Sequence, residues 1–194
     1  MKKYLKSIIY FILFVLLIGM FVYLGKKDFK TDKNMTDGKR FAIEYQIGED
    51  NPFKYAYSST IVEILNNKSG IIYMGFSSND WSKYYVKYLN EVLKENNVKK
   101  VYYYDLLKDR ARSTKNYQKI EEELNDYLYE FDTGNTHILT PALIFVKDGK
   151  VIYYDDETAI ERNSISPKDY WTQERINAFK NKIYGYIRGA NINE

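Results

Sequence analysis

Gly75-Phe76-Ser77-Ser78-Asn79-Asp80-Trp81-Ser82 is the stretch on which the fold turns. An apolar β-type run, Gly70 to Met74, leads into it, and a long amphipathic run, Lys83 to Glu95, leads out. A strand that turns directly into a helix leaves the helix's first backbone N–H groups unpaired. Chemistry in α/β folds is commonly placed at such corners. Beyond the corner, Trp81, Tyr85, Tyr88, Leu89 and Val92 recur at helical spacing, which predicts one core-facing stripe. Asn79 and Asp80 are both strong N-cap residues, and an acid in the first turn complements the helix dipole.

Working outward, Phe41 to Ile47 alternates apolar and polar residues and suggests a short strand, broken by Asn51-Pro52. Ser58 or Ser59 caps a short helix through Leu65, and Ser69-Gly70 turns into the strand Ile71 to Phe76. Val98 to Asp105 reads as a second central strand, and Lys108 to Lys115 as a charged connection. Asn116 to Phe131 reads as a helix, with Tyr117, Ile120, Leu124, Tyr127, Leu128 and Phe131 on one face. Thr140 to Lys147 is an apolar strand opened by proline. Asp148-Gly149 is a hairpin turn, and Val151 to Tyr154 is the returning strand. Asp155 to Tyr170 looks irregular, and Thr172 caps a last helix carrying Ile176, Phe179, Ile183 and Ile187. The order predicts a central mixed β-sheet with helices on both faces, an α/β fold.

Ahead of this domain, Ser7 to Gly25 is uncharged and almost wholly apolar. It is long enough to cross a hydrocarbon core of ~30 Å as a helix. Tyr4 and Tyr23 lie near its ends, as interfacial aromatics do, and no small-x-small cleavage site follows it. The expectation is one uncleaved N-terminal transmembrane helix in the cell membrane. Residues 1–27 form the anchor, 28–50 a tether with a possible short strand, and 51–190 the folded domain. The lysine balance places the N-terminus inside and the soluble domain on the extracytoplasmic side.

The net charge of +3 over 194 residues conceals an asymmetry. Residues 1–30 carry six lysines against Asp28, a net +5, which leaves −2 for the rest. The folded part is therefore not basic, and a nucleic-acid groove has no electrostatic support. With no cysteine, the chain has no disulfide, no thiolate metal site and no thiol nucleophile. No cofactor and no metal are expected. The acidic run Asp155-Asp156-Glu157 lacks the spacing of a calcium loop and reads as solvated.

Element order and two motifs together resemble the thioredoxin fold. One is the strand–turn–helix of Ile71 to Leu93; the other is Thr140-Pro141 opening the strand of the Lys147-Asp148-Gly149-Lys150 hairpin. The likeness spans about Tyr55 to Arg188. It is closer to bacterial thioredoxin-like proteins of the bacteriocin transport accessory type. Asn51-Pro52-Phe53-Lys54-Tyr55, Ile72-Tyr73-Met74-Gly75-Phe76 and the run from Thr140 to Lys150 carry that resemblance. It implies a cis-proline at Pro141 beside the helix start. It also implies that the residue before it, Thr140, pairs through its backbone with an extended peptide. Redox members of the group have Cys-Pro-Trp-Cys where this chain has Asn79-Asp80-Trp81-Ser82. Thiol–disulfide exchange needs an attacking and a resolving thiol, and neither is present. Tyr73 stands where thioredoxins bury a carboxylate.

What the resemblance leaves is a membrane-tethered domain whose degenerate groove, Ser78, Asn79, Asp80, Trp81, Ser82, Thr140 and Pro141, binds a protein or peptide partner. Export of a peptide is the setting it suggests. Two readings of Trp81 stand side by side: a partner's anchor, or core. Asn79 and Asp80 likewise read as plain caps or as ligand contacts. Two alternatives to partner binding remain: a purely structural domain with a vestigial groove, and a non-thiol enzyme. The second would use Ser82 as nucleophile and His137, the one histidine, as its base.

Overall fold

The local pattern that sets the first element is Gly38, Phe41, Ala42 and Tyr45. Their i, i+3, i+4, i+7 spacing matches a helix, and all four are buried in α1, Asp37–Tyr45. The short strand expected at Phe41 to Ile47 is therefore a helix. Alternation and helical spacing compete over those residues, and the helix is told apart by burying Gly38 and Ala42 with the rings while leaving Ile43 outside. Ile43, which the strand reading would bury, is 62 % exposed. An Arg40–Glu44 ion pair of 3.0 Å one turn apart supports the outer face.

The computed structural model describes residues 35–192 apart from 132, 133, 135, 162 and 163, together with Phe14. Apart from Phe14, the apolar segment 7–25 lies outside the described residues. Among the described residues no helix is long and apolar enough to cross a membrane. One compact unit begins at Asp37.

Within it, α1 is followed by β1 (Phe53–Tyr55), α2 (Ser58–Asn67), β2 (Gly70–Met74), α3 (Asp80–Glu95) and β3 (Val101–Tyr104). Then come α4 (Leu107–Arg112), α5 (Lys115–Leu124) and a 3-10 turn at Asn125–Tyr127. The hairpin β4 (Ala142–Lys147) and β5 (Lys150–Asp155) leads to α6 (Glu157–Glu161), α7 (Pro167–Tyr170) and α8 (Gln173–Ala190). The five strands form one sheet in the order β1-β3-β2-β4-β5. β1, β3 and β2 run parallel, while β4 and β5 run antiparallel to their neighbours. The mixed α/β sheet flanked by helices is the architecture expected from the sequence. Besides α1, several details differ, the strand β1 among them. The long helix expected from Asn116 to Phe131 ends at Leu124 and tightens into the 3-10 turn. The charged connection at 108–115 contains α4, and the segment read as irregular contains α6 and α7.

Each face of the sheet carries its own core. On one side Tyr73, Tyr103, Leu143 and Phe145 meet Phe41 and Tyr45 of α1, Tyr85 and Leu89 of α3, and Phe179 and Ile183 of α8. On the other, Ile72, Met74, Ile144 and Val146 meet Ile61 and Ile64 of α2 and Tyr117, Ile120 and Leu124 of α5. Strand side chains alternate between faces, so a strand covered on both sides must be apolar throughout, as all five residues of β2 are buried. The β4–β5 turn is tight. Asp148 and Gly149 both take positive φ, 51° and 73°, which suits a two-residue hairpin loop. A Cβ on Gly149 would run into the Asn66 carbonyl.

The α1 helix is part of the domain, not of its tether. The Phe41 ring has no solvent exposure and stacks on Tyr45 at 4.3 Å and on Phe53 at 4.0 Å. Phe41→Ala in the full chain is expected to lower unfolding stability by about 3–5 kcal/mol, read by urea denaturation. A loss below about 1 kcal/mol would return the segment to a tether.

Candidate functional site

β2 ends at Met74 and the chain must turn at once under the sheet edge. Gly75 makes that turn where nothing larger fits. A Cβ there would lie 2.5 Å from the Tyr73 hydroxyl and 3.1 Å from the Ser82 Oγ. Tyr73 is fully buried, and burial raises the pKa of its phenol above the ordinary range. Tyr73 therefore stays a neutral phenol beneath the corner.

Asn79 is the N-cap of α3. Its Oδ1 accepts the Trp81 backbone N–H at 3.0 Å, and its Nδ2 donates to the Thr140 carbonyl at 3.5 Å. One side chain therefore closes the helix end and ties it to the loop of β4, where Thr140-Pro141 is a cis peptide. Asp80 is exposed and paired with Lys83 at 3.1 Å.

The structure brings the seven candidate residues to one corner but does not leave them equally accessible. Ser78 and Asp80 are exposed and Asn79 is half-buried. Ser82 and Thr140 have no exposed surface, and Pro141 is buried. The Thr140 backbone, which the resemblance would offer to an extended peptide, is covered in this structure, with its carbonyl accepting from Asn79. Trp81 is 6 % exposed and lies edge-to-face against Tyr170 at 5.2 Å, so it is core and not an exposed anchor.

The pairing of Ser82 with His137 is not assembled either. Ser82 sits in α3 on one face of the sheet, with no hydrogen-bond partner for its Oγ among the described residues. The imidazole of His137 lies 3.3 Å from Glu121 of α5, which packs on the opposite face. A nucleophile needs its base within hydrogen-bond reach, and this one has none.

The acidic run at the end of β5 is structural. The Asp155 carboxylate is buried, accepts a hydrogen bond from Tyr85 Oη at 2.8 Å, and pairs with Lys182 at 2.9 Å. Lys182 also pairs with Glu157. Asp156 is different. It is half-buried beside the Tyr154 hydroxyl, and burial, then the neighbouring Asp155 charge, raise its pKa to about 6 against the lowering effect of Tyr154. Among the described residues, no group of three His, Cys, Asp or Glu side chains stands ready to hold a metal ion.

Sequence reading missed a cavity of about 290 Å³ next to this run, between α6, α7 and α8. Its lining includes Thr158, Tyr170, Trp171, Arg175, Phe179 and Lys182. The available signal was the repeat Arg175, Ala178, Phe179, Lys182 at i, i+3, i+4, i+7, a helix face of two cations and an aromatic. It stayed hidden because the wall it faces comes from the stretch read as irregular.

Comparison of the chain with family models, with curated proteins and with solved structures finds no match in any of the three.

Two outcomes follow from the corner and its acidic neighbour. Asn79→Ala should cost about 1–2 kcal/mol in denaturant unfolding, since it removes both the cap and the tie to Thr140. An unchanged midpoint would deny Asn79 that role. For Asp156, the native state holds a proton that the unfolded chain has released between about pH 4 and pH 6. Its contribution therefore favours the folded state below about pH 4 and declines to a plateau above about pH 6. Asp156→Asn should gain on the order of 1–2 kcal/mol over wild type at pH 7, allowing for partial solvation, and nothing at pH 3.5. Parallel stability–pH curves for the two proteins would count against the assignment.

Proposed function

We propose that this protein is a membrane-anchored, thioredoxin-like domain without redox cysteines that acts as a non-catalytic protein- or peptide-binding accessory factor. Peptide or bacteriocin export is the setting that the resemblance suggests, with the domain on the extracytoplasmic side. The observation that carries the reading is the use made of Asn79. Where redox relatives place the attacking sulfur, this chain places an amide engaged with Trp81 on one side and Thr140 on the other. A residue held in this way has no group with which to attack a disulfide. The five-stranded sheet with β4 antiparallel, the strand–turn–helix at Gly75 and the cis Thr140-Pro141 peptide are consistent with the thioredoxin-like reading.

Partner binding at this corner rests on its open lip. Ser78, Asn79 and Asp80 lie at the surface, beside the half-buried Phe76 ring and the Arg110 guanidinium 5.6 Å from its centre. That is a small polar rim around one aromatic, suited to docking a partner surface and unsuited to burying a reacting group.

A photo-crosslinking residue at Ser78 of the full chain in its own membrane, compared with one at exposed Lys119, tests the reading. The Ser78 position should capture a defined protein that Lys119 does not, and the purified chain should reduce no insulin disulfides. Identical captures from both positions, or any turnover in the insulin assay, would overturn it.

A further inference from the structure

The cavity between α6, α7 and α8 combines an aromatic wall with charged side chains. Its aromatic wall is made by Tyr170, Trp171 and Phe179, and its charged side chains are Glu157, Arg175 and Lys182. Two of those three charges answer each other, because Lys182 is paired with Glu157 as well as with Asp155. The Arg175 guanidinium is left without a carboxylate partner among the described residues. Its Cζ lies over the Tyr170 ring, 4.1 Å from the ring centre, where the aromatic face attracts it. A guanidinium fixed in that way presents a fork of N–H donors, the geometry that matches a carboxylate's two oxygens.

A second observation bears on the same cavity. Thr158 and Trp171, 3 % and 6 % exposed, both belong to its lining, and the Thr158 Oγ1 and Trp171 Nε1 have no hydrogen-bond partner among the described residues. Buried polar groups are ordinarily paired, so two unpaired polar atoms on residues that line one cavity call for a partner. The indole N–H lacks an oxygen acceptor, and the hydroxyl lacks an acceptor or a donor.

We propose that this cavity is a binding site for a carboxylate carried on an apolar or aromatic body. The carboxylate would meet the Arg175 fork, and the apolar part would lie against Tyr170, Trp171 and Phe179. A volume of about 290 Å³ suits a group the size of one aromatic amino acid, at the small end of ligand pockets. Two sources share that chemistry: a free aromatic acid, and the C-terminal residue of a peptide. The site is separate from the Ser78–Asp80 lip and stands or falls independently of what that lip binds.

The test uses the full chain in detergent, with tryptophan emission as the readout, because Trp171 lines the cavity and the chain's other tryptophan is Trp81. The probes are N-acetylphenylalanine, its amide, and a ten-residue peptide ending in phenylalanine with a free or an amidated C-terminus. Saturable emission changes are expected for the carboxylate forms, with affinity lower by about tenfold or more for the amides. Arg175→Ala should weaken the carboxylate forms by a similar factor and leave the circular dichroism spectrum unchanged, since the side chain is exposed. Arg175→Lys should lie between, and Lys119→Glu, at an exposed position of α5, should have no effect. A free acid as strong as the peptide supports a small-molecule source; a peptide at least about tenfold stronger supports C-terminus capture. No saturable change, equal binding of acid and amide, or full affinity in Arg175→Ala would overturn the proposal.

Discussion

The Asp155 carboxylate, 5 % exposed at the end of β5, is held from two directions. Tyr85 of α3 donates to one oxygen at 2.8 Å and Lys182 of α8 reaches the other at 2.9 Å. A buried charge without such partners would cost several kcal/mol, and removing one partner of a buried pair typically costs about 3–5 kcal/mol. The three elements are therefore bound to one position: the sheet edge, the helix that leaves the Gly75 corner, and the C-terminal helix. Tyr85 is a full participant. Burial, then the Asp155 charge, hold its phenol protonated well above the usual range, so it remains a donor. Much of what lies on this face, including the cavity beside α8, depends on that arrangement.

The corner at Gly75–Ser82 follows a different logic. A helix end beneath a sheet is a place where an anion or a thiolate is stabilised, and a chain without either has unpaired N–H groups there. Asn79 supplies the acceptor from within the chain, and its amide reaches the Thr140 carbonyl at the same time. The start of α3 and the loop that opens β4 are thereby joined through one side chain. Ser82 and Thr140, drawn inside by that closure, keep hydroxyl oxygens with no partner among the described residues. Each such group lowers stability relative to an apolar side chain of the same shape.

The sequence disclosed the strands and helices whose periodicity is long. The α3 stripe, the hairpin at Asp148-Gly149 and the Thr172 cap lie where spacing alone puts them. It failed where a segment was too short to show a period. β1 has only Phe53, Lys54 and Tyr55, and it is recognisable as a strand only through its pairing with Val101 to Tyr103. It failed again at α1, where two periods fit the same residues and tertiary burial of Phe41 and Tyr45 decides between them. At the site, residue types were legible and exposure was not. Trp81 belongs to the core because Tyr170, eighty-nine positions later, covers it. No local pattern can announce a contact of that separation.

That same contact joins the two regions of interest. Tyr170 packs against Trp81 at 5.2 Å and carries the Arg175 guanidinium over its ring at 4.1 Å, so one aromatic side chain separates the first turn of α3 from the cavity of α8. Trp171, its neighbour, packs against Tyr85, Tyr88 and Phe179. Aromatic rings are rigid, with two side-chain torsions each, and interiors are packed closely enough that a displaced ring moves its neighbours. A ligand that shifted Tyr170 would therefore bear directly on Trp81, and through the Asn79 cap on the link to Thr140. The closed corner and the open cavity are in this sense two ends of one packed aromatic wall.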